Sequence, residues 1–276
     1  MQNNSKPSHL SFTAQRAAGY LLGFALLYAP FELYRRFLEN VLNIQPAFLP
    51  HAFCPRIHTA EIFTGGFFEL NNLMLVSTLL FWLLCLLFGP FFCGRLCVAG
   101  YFAESLSHLV PERWQIEWEK YMPVPYIRFG MLLGYMLLSL WYGFYPCAYC
   151  NFYLFDSLVS VLFGAAISFT VPLATTGFLY LVLFGLFTKG GRGYCRFMCP
   201  QGAMQSLFFI IGSKLGIASK IQVDSKKCRL CVKNCPMRAM SLKNGSIKND
   251  VSLCIKCGVC QHNCPVKAIT TGGGRL

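Results

Sequence analysis

Seven cysteines near the end of the chain, from Cys228 to Cys264, carry its most specific chemistry. The spacing Cys254-x2-Cys257-x2-Cys260-x3-Cys264-Pro265 is the bacterial ferredoxin run, in which three thiols on a tight loop face three corners of one iron–sulfur cube. The fourth cysteine, just before the proline, opens a helix that leads to the other cluster of a two-cluster module. NCPMRAMSL at Asn234 returns as NCPVKAITT at Asn263, an offset of 29 that pairs Cys228, Cys231 and Cys235 with Cys257, Cys260 and Cys264. Cys235, Cys254, Cys257 and Cys260 are therefore expected to hold one complete 4Fe-4S cluster. Cys228, Cys231 and Cys264 are expected to hold a second. Its leading position is Ser225, where Cys254 has its counterpart. That leaves a 3Fe-4S centre, a 4Fe-4S centre with an oxygen ligand from Ser225 or Asp224, a thiolate from elsewhere, or a degenerate half without a cluster.

A second duplication lies upstream. Cys93, Cys97 and Gly100 recur as Cys195, Cys199 and Gly202, each 102 residues later. If the halves pack about a pseudo-twofold axis, the four thiols converge. Four convergent thiolates suit a third iron–sulfur cluster or another soft metal. A redox-active dithiol pair and simple packing of helix ends are the alternatives. Cys54, and the pair Cys147 and Cys150, belong to loops near the other end of each half and are expected on the opposite side. Cys85, alone within an apolar run, is expected in the core.

The elements that must position these cysteines are helical and apolar. The 276 residues have a mean hydropathy of +0.49, and 55% are hydrophobic. No charge falls between Asn71 and Phe92, Phe129 and Phe155, or Ser157 and Thr188, and each run is long enough to cross a hydrocarbon core about 30 Å thick. Spans are expected near 17–38, 68–92, 126–146 and 170–188, with 151–169 on the outer surface or re-entrant. The first span is expected to be uncleaved. The fold class is thus an α-helical membrane protein of about four transmembrane helices in two pseudo-repeated halves (1–218), followed by an α+β double ferredoxin domain (219–276). After Ala218 there are eleven Lys or Arg and two Asp, a net of +9. That balance suits anionic clusters and the cytoplasmic face of a membrane rather than nucleic acid. None of the five histidines lies inside an apolar span, so no haem is expected. His51, His58, Glu61, Glu69 and Asp156, near the presumed outer face, are candidates to accept protons from a quinol.

The paired Cys-x3-Cys motifs, the apolar spans and the closing double ferredoxin run together resemble the NapH/MauN/NosR-type membrane-bound polyferredoxin family, nearest in shape to its NapH branch. The resemblance covers about residues 17 to 270. It departs at Val98, where the family motif has proline, as Pro200 does in the second copy. It implies a subunit of an oxidoreductase complex in the cytoplasmic (inner) membrane. Such a subunit passes electrons between the quinone pool or a periplasmic partner and its cytoplasmic ferredoxin domain. Quinone is a candidate ligand, and other redox subunits are the expected partners. The alternative is a maturation factor that uses thiols and clusters to reduce or deliver a cofactor.

Overall fold

The computed structural model describes residues 9–28, 30–42, 54–64, 72–142, 147–164, 166, 170–223, 230–243 and 245–272. The first half contains α1 (His9–Leu27), α2 (Leu33–Leu42), α3 (Pro55–Thr64), α4 (Asn72–Phe88), α5 (Phe91–Arg95) and α6 (Val98–Ser107). The second contains α7 (Val124–Tyr142), α8 (Asn151–Leu162), α9 (Val171–Gly177), α10 (Gly193–Phe197) and α11 (Pro200–Lys214). Helix α9 runs on as a π-helix from Phe178 to Leu186.

The expected first span does not form one helix. Pro30 cannot donate a backbone hydrogen bond, Glu32 has a φ of 42°, and α1 and α2 are separate helices. Helix α4, by contrast, has neither charge nor Gly or Pro in its seventeen residues, and ends at Gly89 (φ 78°) and Pro90.

The duplication is visible in backbone hydrogen bonds. Leu96 N and Cys97 N both donate to Phe92 O; Met198 N and Cys199 N both donate to Tyr194 O. Each Cys-x3-Cys therefore forms a five-residue helix that stops short and restarts in a new direction, with Cys97 capping α6 and Cys199 capping α11.

The described residues of the C-terminal module form two small antiparallel sheets and two short helices, α12 (Leu230–Lys233) and α13 (Val259–His262). Strand β1 (Lys220–Val223) pairs with β4 (Ile269–Gly272), placing Val223 opposite Ile269. Strand β2 (Met240–Lys243) pairs with β3 (Ser246–Asn249). Asp224, Ser225 and Cys228 lie outside the described residues.

The module packs on the motif end of the helical body. Tyr28, Cys97, Phe197 and Cys199 share one apolar core with Cys231, Ile255 and Ile269. Phe12 stacks on His262 with centroids 4.2 Å apart, and Ser219 N donates to Leu87 O at 3.0 Å. Gly94 also lies at this junction, where a Cβ would strike the Ile255 carbonyl.

The outer surface of the helices is apolar. Leu21, Val76, Leu80, Leu83, Leu133 and Leu137 are exposed. On α7, Tyr126 (81% exposed) and Trp141 (83%) stand near the two ends of the helix, about 22 Å apart at 1.5 Å per residue. Among the described residues one helix, Val124–Trp141, is long and apolar enough to cross a membrane, and Leu75–Phe88, Asn151–Leu162 and Val171–Leu186 are shorter apolar stretches.

Gly94→Ala is expected to destabilise the protein by about 1–3 kcal/mol, because the collision is with backbone and no side chain can yield. Denaturant unfolding checks this, with Gly130→Ala, where an added Cβ meets nothing within 4 Å, as the control.

Candidate functional site

Two cysteine-lined cavities lie on either side of the junction between the helical body and the C-terminal module. The smaller, of about 20 Å³, is lined by Cys235, Cys254, Cys257 and Cys260, the four residues whose spacing assigns them to one cluster. Each of these thiols accepts a backbone N–H: Cys235 from Ala239 at 3.3 Å, Cys254 from Lys256, Cys257 from Val259 and Cys260 from Gln261. Lys256 (φ 50°) and Gly258 (φ 81°) turn the backbone so that its N–H groups point inward. Burial pushes the thiols up, Cys254 and Cys260 to about 12 and Cys257 to about 11. A coordinated metal would reverse this, since a ligating thiol is deprotonated outright. Of the second expected set, Cys231 is buried and Cys264 half-buried, while Cys228 lies outside the described residues.

The larger cavity, of about 310 Å³, is lined by Cys93, Cys97, Cys195 and Cys199, so the structure brings the duplicated motifs together. Gly202 N donates to the Cys199 thiol at 3.4 Å, and Gly100 N makes the equivalent bond to Cys97. Side-chain amides serve the other pair: Gln205 Nε2 lies 3.2 Å from Cys93 Sγ and Asn151 Nδ2 3.9 Å from Cys195 Sγ.

Two further cysteines line this chamber, contrary to the sequence expectation. Cys54 and Cys150 were expected on the opposite side, yet both face the same cavity. The reason is that α8 starts inside the protein, capped by a Cys150 that is 4% exposed. Cys54 stands at the matching place, immediately before α3. The offset of 96 between them, close to the 102 of the motifs, is the signal that links them. Cys85 packs with Trp82, Leu132 and Met204 in the core, as expected. His58 and Asp156 are both buried, and His58 Nδ1 lies 2.9 Å from Thr78 Oγ1. His51 and Glu69 lie outside the described residues, as does the side chain of Glu61.

Among the described residues no three His, Cys, Asp or Glu side chains stand close enough to share one metal ion. Four thiolates on a single zinc would lie roughly 3.8 Å apart, given a Zn–S bond of about 2.3 Å. Thiols that surround a cavity instead suit a polynuclear cluster, in which each binds a different iron.

Buried charge frames the chamber, and spacing alone gave no sign of it. Arg192 donates to Glu104 Oε2 at 2.8 Å, to Cys93 O at 2.7 Å and to Tyr20 Oη at 2.9 Å. Arg16 donates to Glu104 Oε1 at 3.0 Å. Burial alone would raise the Glu104 carboxyl, but Arg192 and Arg16 outweigh it and hold it below its usual range. Glu119 joins the two cysteine regions: it accepts from Arg196, next to Cys195, at 2.7 Å and from Arg238, three residues past Cys235, at 2.9 Å. Glu117 accepts from Lys120, Lys189 and Arg238, which hold it down at about 2. A depressed carboxylate contributes stability above its unfolded value of about 4.5 and loses it as pH falls toward 2, so this network is intact at neutral pH.

Comparison with known proteins agrees with this chemistry. Residues 70–117 and 170–218, which contain the two Cys-x3-Cys motifs, match a family described as a 4Fe-4S binding domain. Residues 226–269 match a 4Fe-4S dicluster domain. The chain thus carries ferredoxin-type 4Fe-4S domains, and with them an iron–sulfur electron-transfer role. An uncharacterized protein of Methanocaldococcus jannaschii is 28% identical over 172 residues, covering 56% of this chain and 62% of that relative. The match therefore spans less than two thirds of the relative's length. No solved structure matches.

Glu119→Gln is expected to cost about 3–5 kcal/mol, because it leaves the fully buried Arg196 without its carboxylate. Glu112→Gln, at an exposed pair with Lys233, is expected to change stability by no more than about 0.5 kcal/mol. Paired unfolding curves check both.

Proposed function

We propose that this chain is a membrane-anchored electron-transfer subunit of the polyferredoxin type. In it, Cys93, Cys97, Cys195 and Cys199 hold a third cluster, within tunnelling reach of the one on Cys235, Cys254, Cys257 and Cys260. One observation carries the reading: Met237 and Ile255 line both cavities, so the two thiol sets adjoin across a shared wall. Electron tunnelling through protein falls off exponentially with distance, so adjoining sites favour it. Clusters held at these thiols would supply one-electron chemistry.

The chain's own residues do the rest. Backbone and amide N–H groups steady the thiolates, the apolar wall excludes water, and Gly94 and Glu119 fix the separation of the two sites. Cys231 and Cys264, with Cys228, would hold the remaining cluster and extend the route toward the module's basic outer face. That face suits an acidic redox partner or a neighbouring subunit.

The membrane assignment rests on the exposed apolar helix faces and on Tyr126 and Trp141, placed as interfacial aromatics would be. It makes the protein a multi-pass component of the cytoplasmic membrane, with the ferredoxin module on the cytoplasmic side. The other end of the current is the quinone pool or a periplasmic partner.

Iron analysis of anaerobically purified protein in mild detergent tests this reading. About twelve irons per chain are expected, falling by about four in Cys97→Ser/Cys199→Ser. An iron content that is the same in the two proteins would remove the chamber cluster. Recovery of the protein in the soluble fraction after lysis would overturn the anchoring.

A further inference from the structure

Two buried guanidinium groups line the larger chamber, one against each motif glycine. Arg192 Nη1 would lie 2.9 Å from a Cβ added to Gly100, and Arg128 Nη2 3.4 Å from one added to Gly202. Both side chains are 1% exposed. Their partners differ. Arg192 is ion-paired with Glu104, a carboxylate that it shares with Arg16. Arg128, on α7, donates only to neutral oxygens: Gly202 O and Ser206 Oγ at 2.7 Å, and Arg196 O at 3.5 Å. Its Nε has no hydrogen-bond partner, and among the described residues it makes no ion pair.

An arginine stays charged in a protein, and a buried charge without a counter-ion is destabilising by several kcal/mol. Something anionic must therefore face it. Glu32 is the carboxylate on the chamber's wall, and the thiols of Cys93, Cys97, Cys195 and Cys199 line it too. As ligands they are thiolates, and four of them outweigh the charge of an iron–sulfur core, leaving the whole centre anionic.

We propose that Arg128 is the counter-charge of the chamber, offsetting the negative charge of a cluster on Cys93, Cys97, Cys195 and Cys199 and thereby raising its reduction potential. The inference rests on the chamber's reading as a cluster site and adds the positioning residue that tunes it. Reduction places one more negative charge beside the guanidinium, and in a low-dielectric interior a fixed cation favours that state. Arg192 differs in that its charge is offset in part by Glu104, which it shares with Arg16.

EPR-monitored redox titration of the intact protein in detergent tests this in wild type, Arg128→Gln and Arg128→Lys. The Gln variant is expected to shift the chamber centre to a more negative potential, or to lose that centre alone, with the ferredoxin centres unmoved. The Lys variant keeps the charge and is expected to retain the centre near its wild-type potential. An unmoved chamber potential in the Gln variant overturns the proposal, as does an equal shift in every centre. If the Gln variant does not fold, the Lys variant decides. Loss of the chamber centre there would show that the guanidinium's hydrogen bonds matter and its charge does not. A wild type lacking a third centre by iron count refutes the underlying site instead, before any variant is compared.

Discussion

The carboxylate of Glu119 binds together two arginines that come from the two cysteine-bearing parts of the chain. Arg196 follows Cys195 in the helical body, and Arg238 follows the Cys235 loop of the ferredoxin module. Arg196 is fully buried, so without this carboxylate the motif end of the body would hold an uncompensated charge. The same contact fixes the module over the chamber. Gly94 then allows the Ile255 loop to close to backbone contact, and Met237 and Ile255 become a wall common to both cavities. The distance between the two thiol sets is thus set by charge and by the absence of one side chain, not by a flexible linker.

The chamber combines features that would be unfavourable apart. Helices α6, α8 and α11 each begin at a cysteine on its wall, directing their N-terminal dipoles inward. With Arg128 and Arg192 they make an interior that favours negative charge. Such a cavity is poorly suited to neutral thiols and well suited to thiolates bound to metal.

What the sequence made legible was local. The ferredoxin spacing places four thiols on two tight loops, and those loops line one cavity because the spacing alone nearly dictates it. The 102-residue duplication predicted convergence of Cys93, Cys97, Cys195 and Cys199, and the structure puts all four on one wall system. What it hid was tertiary. A loop beyond a full span reads as lying on the far side, as those of Cys54 and Cys150 do in the sequence; that α8 starts inside the protein at Cys150 has no strong local signature. Pro30 stands in an apolar run that reads as one span, and the break shows only in the separate helices α1 and α2. Arg128 stood at the edge of an uncharged stretch, where a charge reads as an interfacial anchor. Only the fold shows that it lines the thiol chamber, buried and with no ion pair among the described residues.

The central claim is that the two cysteine sites lie close enough to exchange electrons directly. The most direct measurement is the EPR spin relaxation of the ferredoxin centres as the chamber centre is reduced, compared with a variant lacking Cys97 and Cys199. The account predicts faster relaxation and broadened or split signals in wild type only. Identical relaxation in the two proteins, with the chamber centre shown to be present and reduced in wild type, would contradict it.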